Sequence, residues 1–154
     1  MARSGAELAL LLLGSYRKLV DGTIRELAAR GFDDVRPVHD FTMRAIAAGA
    51  GSASEVGRRL SVSKQAAAKT IGTLVERGYV DRTPDAADAR RKTLHVTPLG
   101  WEVMHTGEAI FDELRAEWEQ RLGEKELETL EAQLRTFVGD AEVHPDEAGW
   151  VAQD

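Results

Sequence analysis

The chain contains no cysteine. That excludes a disulfide scaffold, a thiolate zinc site, a cysteine nucleophile and a thiol redox sensor together. Long apolar runs are missing too. The longest, Leu8 to Leu13, covers six residues and is soon followed by Arg17 and Lys18, far short of the ~20 needed to cross a bilayer. No membrane span or secretory leader is expected, and a cytoplasmic location follows. Positive charge is the third scarcity. Twenty Lys and Arg face 26 Asp and Glu, a net charge of −6, which looks unsuited to a polyanionic partner.

The charge is unevenly spread. Residues 55–98 carry nine cations against five anions, whereas residues 99–154 carry four against fifteen. An acidic chain with one basic middle section is the result, and that section is where a polyanion would bind. At 154 residues, 43% hydrophobic and 30% charged, the chain is long enough to bury its own core as a soluble domain.

Apolar periodicity predicts helices at both ends. Leu8, Leu12, Tyr16, Leu19, Thr23 and Leu27 recur at spacings of three and four and share one helical face. A second helix starts at Pro37, where a missing N–H costs nothing, and runs to about Ala48. Ser52-Ala53-Ser54-Glu55 reads as a capping box opening a short helix that ends at Leu60. Ser63 caps the next one, Lys64 to about Arg77, closed by Gly78. Beyond it the period changes. Tyr79 to Thr83 and Lys92 to Thr97 read as two strands joined by a polar, basic loop. Thr97-Pro98 then starts a long helix to Leu122, and Gly123 separates it from a last helix over Glu124 to Val138.

This order predicts a mainly α fold with a small β-wing, a winged helix-turn-helix between N- and C-terminal dimerisation helices. Residues 1–35 and 99–140 would form the helical dimerisation region, residues 36–98 the winged helix-turn-helix, and residues 141–154 a flexible tail. On the helix from Lys64, the residues Ala67, Ile71, Leu74 and Val75 fall inward. Ser63, Lys64, Gln65, Ala68, Lys69 and Thr73 face outward or cap the helix. A Lys-Gln pair suits base edges, a small Ala68 permits close approach, and Lys69 and Thr73 lie within reach of phosphate or bases. The plainer alternative is a solvated helix face, but a basic hairpin immediately downstream favours the groove-binding one.

Residues 52–100 resemble the winged helix-turn-helix of the multiple-antibiotic-resistance regulator (MarR) family of bacterial transcription factors. The stretches that carry the likeness are Ala53 to Ala67, Leu74 to Arg82, and the wing Asp85 to Gly100 with its Asp88-Ala89-Arg90 motif and Thr97-Pro98-Leu99-Gly100 helix start. The resemblance implies that Arg90 enters the minor groove and that Asp88 holds its guanidinium. Arg91 and Lys92 would meet phosphates. It also implies a homodimer on a pseudo-palindromic operator in double-stranded DNA, with repression as the expected outcome. Family members often release DNA when a small aromatic effector binds between the dimer layer and the DNA-binding lobe. Tyr16, Arg17, His39 and Met43 are the candidates to line such a pocket, with interhelical packing as their alternative role.

Catalysis is not expected. His39, His95, His105 and His144 form no HExxH pair, no Gly-x-Ser-x-Gly elbow exists, and Gly49-Ala50-Gly51 is too little for a phosphate loop. No cofactor and no metal are called for. The competing function is a winged-helix module that docks proteins and never reads DNA, which would need an outward helix face without cations.

Overall fold

The computed structural model describes residues 4–33 and 35–139; the expected tail over 141–154 lies outside them. Eight elements follow in the predicted order. They are α1 (Gly5–Ala29), α2 (Pro37–Ala47), α3 (Ala53–Leu60), α4 (Lys64–Glu76), β1 (Val80–Pro84), β2 (Lys92–Val96), α5 (Pro98–Leu122) and α6 (Glu124–Val138).

Local chemistry sets the boundaries. Ser4, Ser52, Ser63 and Thr97 each stand at an N-cap, and each side-chain oxygen accepts a backbone N–H three residues on. At α3 the capping box is displaced by one residue. Ser52 Oγ accepts from Glu55 N–H at 3.3 Å, but Glu55 Oε2 accepts from Gly51 N–H at 2.7 Å. The Gly51 carbonyl meanwhile accepts from Leu94 N–H of β2 at 3.2 Å. Gly51 is thus fixed between α3 and the wing, and its N–H is the donor Glu55 satisfies.

β1 and β2 pair antiparallel, with Val80 opposite Val96 and Thr83 opposite Thr93. Val80 and Leu94 turn inward while Asp81 and His95 stay exposed. Gly100 locks the hairpin to α5. Its N–H donates to Thr97 Oγ1 at 3.1 Å, and a Cβ there would collide with the Tyr79 carbonyl. Gly57 does the same for the α3–α4 turn, because a Cβ would lie 2.9 Å from the Val62 carbonyl oxygen. These two close approaches explain why glycine stands at both points.

One continuous core joins α2, α3, α4 and the hairpin to the inner faces of α1 and α5. Met43, Val56, Ile71, Leu74, Val80 and Ile110 are at its centre. α1 lies along α5, with Gly22 letting Leu114 approach, and Arg30 of α1 donates to Glu113 of α5 at 2.8 Å. α6 folds back on α5 through Leu127 and a two-pronged Arg115–Glu131 pair at 2.7 and 3.1 Å. The terminal helices are only partly covered. Leu8, Leu10, Leu11, Leu12 and Leu13 are 46–68% exposed and Phe137 is 88% exposed.

Candidate nucleic-acid interface

The outward side of α4 is assembled as its periodicity requires. Ala67, Ile71 and Leu74 are buried, Val75 is half-buried, and Lys64, Gln65, Ala68 and Lys69 are exposed. Ser63 Oγ accepts from Ala66 N–H at 3.0 Å, so its hydroxyl hydrogen stays available beside Lys64. Thr73 is half-buried and donates its hydroxyl to Lys69 O at 3.2 Å, which leaves it able only to accept. A helix of this face and size fits a major groove about 12 Å wide.

The wing departs from expectation in one respect. Asp88 does not hold the Arg90 guanidinium. Its Oδ1 accepts the Arg90 backbone N–H at 3.0 Å, and its carbonyl accepts the Arg91 N–H at 3.0 Å. Asp85 Oδ1 forms a similar turn with Ala87 N–H at 2.9 Å. A short carboxylate reaches its own backbone two residues on more readily than a flexible exposed guanidinium. Asp88 thereby shapes the tip, and Arg90, Arg91 and Lys92 are exposed beside it.

The four residues named for an effector pocket are not brought together. Met43 is fully buried in the core and Arg17 is exposed. His39 is buried, and its Nδ1 accepts the Arg36 N–H at 3.0 Å, so it caps the start of α2. Only Tyr16 lines the cavity between α1, α2 and α5, a space of about 90 Å³. Its other polar walls are Thr23, Arg36, Asp40 and Arg44, with Phe41 and Phe111 beside them. At ~100° per residue, His39 and Met43 share one stripe of α2, whereas Pro37, Asp40, Phe41 and Arg44 share the adjacent one. Only the second stripe faces α1.

Arg44 Nε donates to Asp40 Oδ2 at 2.6 Å and its NH1 to Glu108 Oε1 at 3.0 Å, joining α2 to α5. Burial pushes the Asp40 carboxyl above the usual carboxylate range, and the Arg44 bond only partly offsets it. Burial, with Asp40 nearby, also lifts the Tyr16 phenol to about 12.

On the opposite side of α2 a larger cleft of about 770 Å³ opens against the flank of α4. Arg36 and His39 line it from α2's start, Lys69 and Thr73 from α4, and Arg77 from α4's C-cap. Sequence reasoning missed Arg36 and Arg77. The available signal was the i, i+4 step from Thr73 to Arg77, which continues the α4 flank. No group of three His, Asp or Glu able to hold a metal occurs among the described residues, and none of their helices is long and apolar enough to cross a membrane.

Residues 42–91, which span α3, α4, β1 and most of α2, match the family model described as MarR family. Over those residues the chain is similar to the MarR family. The whole fold is also similar to solved MarR-family structures. MarR from E. coli in its reduced form is 20% identical, covering 90% of this chain and 99% of that one, with a TM-score of 0.69. A mutant of S. aureus MepR bound to an oligodeoxyribonucleotide is 19% identical over 85% and 95% of the two chains, TM-score 0.63. S. aureus MepR bound to ethidium bromide is 19% identical over 88% and 95%, TM-score 0.60. Curated proteins gave no match. The MarR winged helix is the architecture of DNA-binding transcription regulators, and its α4 face and wing are the parts described above.

Proposed function

We propose that this chain is a homodimeric, sequence-specific regulator of transcription that binds a pseudo-palindromic operator in duplex DNA and represses. The observation that carries it is the exposed Lys64, Gln65, Ala68 and Lys69 face of α4 beside an exposed Arg90, Arg91 and Lys92 wing. Lys64 and Gln65 are assigned to base edges, Arg91 and Lys92 to phosphates, and Arg90 to the minor groove, whose narrow form attracts arginine. The dimer is supported by the uncovered leucines at the start of α1 and by Phe137 and Val138 at the end of α6. Such patches mark association surfaces, and a two-fold pair would place two α4 helices about one DNA turn apart. No catalytic step enters this function, and its place of action is the cytoplasm.

Release by a small aromatic effector is assigned to the cavity at Tyr16, Phe41 and Phe111. That space of about 90 Å³ is smaller than the ~150 Å³ that holds benzene. An effector must therefore displace side chains, and the Arg44 bridge to Glu108 is the contact such opening would strain. Asp40 stands against Arg36 and Arg44 in its walls, which makes a neutral aromatic a better fit than the aromatic acid that Arg17 and His39 would have suited.

Selection of bound duplexes from a random pool, followed by a salt titration of the winner, tests the function. An enriched inverted repeat with affinity falling steeply as salt rises is expected. Absence of enrichment from a folded dimer would instead favour the protein-docking module. Arg90→Ala is expected to lower affinity while the dimer stays folded; unchanged binding would remove the wing-anchor role.

A further inference from the structure

Two sets of contacts tie the winged helix-turn-helix to α5. The first lies where α5 begins. Thr97 N–H donates to the Tyr79 carbonyl at 3.0 Å, and its hydroxyl donates to the Gly78 carbonyl at 2.5 Å. Gly100 presses so close to the Tyr79 carbonyl that no Cβ fits between them. This end allows no play. The second tie lies eleven residues further along the chain, about 16 Å at 1.5 Å per residue, where Arg44 of α2 meets Glu108. When two bodies are fixed at one end, whatever holds the other end sets the angle between them.

Apolar packing alone fixes that angle poorly, because it has no preferred direction. The junction is also incompletely filled. The space of about 90 Å³ between α1, α2 and α5 lies there, with Gly107 of α5 in its lining. A Cβ built on Gly107 would meet nothing within 4 Å. Arg44, by contrast, makes directional bonds. Its Nε donates to Asp40 Oδ2 at 2.6 Å and its NH1 to Glu108 Oε1 at 3.0 Å. Asp40 stands one turn earlier on α2, so it holds the guanidinium plane and aims NH1 at α5. The Arg44 and Glu108 side chains are 39% and 52% exposed, and so wet a pair adds little to folding. What it supplies is direction.

We propose that Arg44, aimed by Asp40, is a strut that sets the angle between the winged helix-turn-helix and α5, and thereby the half-site separation the dimer accepts. Each protomer brings one α4 to the duplex. Play at Glu108 in both protomers therefore adds up as error in the distance between the two α4 helices. Arg44 lies on the side of α2 toward α1 and α5, away from α4, so it is a positioning residue and reads no base itself. The strut rests on the homodimeric DNA-binding function proposed above.

The test uses the full-length protein and its selected duplex, with the centre of the operator lengthened or shortened one base pair at a time. Each step moves a half-site by about 3.4 Å and turns it by about 34°. Wild-type affinity should peak at one spacing and fall about tenfold one base pair away, since duplex or protein must then deform. Arg44→Lys keeps the charge and loses the fork; Glu108→Gln keeps the shape and loses the charge. Each should cut the spacing discrimination several-fold while binding a single half-site as the wild type does. The double variant should go no further than either single one, as partners in one contact do. A second arm needs no DNA. Because the chain lacks cysteine, Ala68→Cys on the exposed face of α4 takes one spin label per protomer. The α4-to-α4 distance distribution should broaden in both strut variants. Wild-type spacing discrimination in those variants would overturn the strut and leave DNA binding intact, whatever the distances. Weakened half-site binding would also overturn it, by placing Arg44 in the packing of the lobe itself. If the wild type binds no duplex, the proposed function falls, and the distance arm alone then decides whether Arg44 fixes the angle.

Discussion

α2 separates two cavities of opposite character. Toward α4 lies the wide cleft walled by Lys69 and Arg77; toward α1 and α5 lies a narrow, apolar space whose polar walls are Tyr16, Thr23, Asp40 and Arg44, and Arg36 before α2 borders both. One eleven-residue helix supplies both, because its successive stripes look in different directions. The basic side is open to solvent and holds no carboxylate among its described lining residues. On the other side burial dominates, which lifts Asp40 and Tyr16 and makes Arg44 turn to two carboxylates. Charge of either sign is placed by access to solvent as much as by sequence.

The partition itself is the place where the largest effect is expected. Met43 is fully buried within the core at α2, and Met43→Ala should cost ~2–5 kcal/mol of unfolding free energy in a denaturant titration. A loss below about 1 kcal/mol would mean that Met43 borders a ligand space, as the sequence suggested, and that the two cavities are less distinct than described.

Reading of base edges should belong to the open side alone. Lys64→Ala or Gln65→Ala is expected to relax sequence preference by ~1–3 kcal/mol in competition binding. Arg44→Ala, on the closed side, should leave that preference unchanged. A uniform loss across all sequences for Lys64→Ala would move it to the phosphate contacts.

On the closed side the sign of the pH dependence is fixed. Asp40 binds its proton more tightly folded than unfolded, so its contribution favours the fold below the ordinary aspartate range near 3.8. That contribution is lost as pH rises through the elevated folded value. Asp40→Asn should therefore remove a decline in stability that starts near the ordinary aspartate value and levels off above the elevated folded one. Melting curves across that window check it, and an unaltered profile would show Asp40 to be hydrated.

The smallest effect concerns Tyr16, half-buried beside Asp40. Its phenol should ionise near 12 rather than 10, and its contribution to stability should fall across that same alkaline interval. Absorbance titration of wild type against Tyr16→Phe isolates the transition. Ionisation at the ordinary value would show that the cavity at α1 is open to water.

Much of the fold was legible because its signals are local. Ser52, Ser63 and Thr97 cap helices through bonds three residues away, Pro37 opens α2, and the change of period after Gly78 marks the hairpin. The outward set on α4 was equally readable, since burial of Ala67, Ile71 and Leu74 fixes the orientation of the rest. Asp88 was less so. Both of its uses, holding a guanidinium or closing a turn, satisfy the same carboxylate, and only geometry separates them.

The sequence by itself determined the order of elements, the basic middle and the residues that α4 turns to solvent, because capping, periodicity and charge act within a few residues. Only the tertiary structure decided that His39 caps α2 while Tyr16 meets Asp40, and that Arg36 and Arg77 share one cleft although 41 positions apart in the chain. Those outcomes depend on which stripe of α2 packs against which neighbour. Nothing in α2's own periodicity sets that choice, which is made by the shapes of α1, α4 and α5 closing around it.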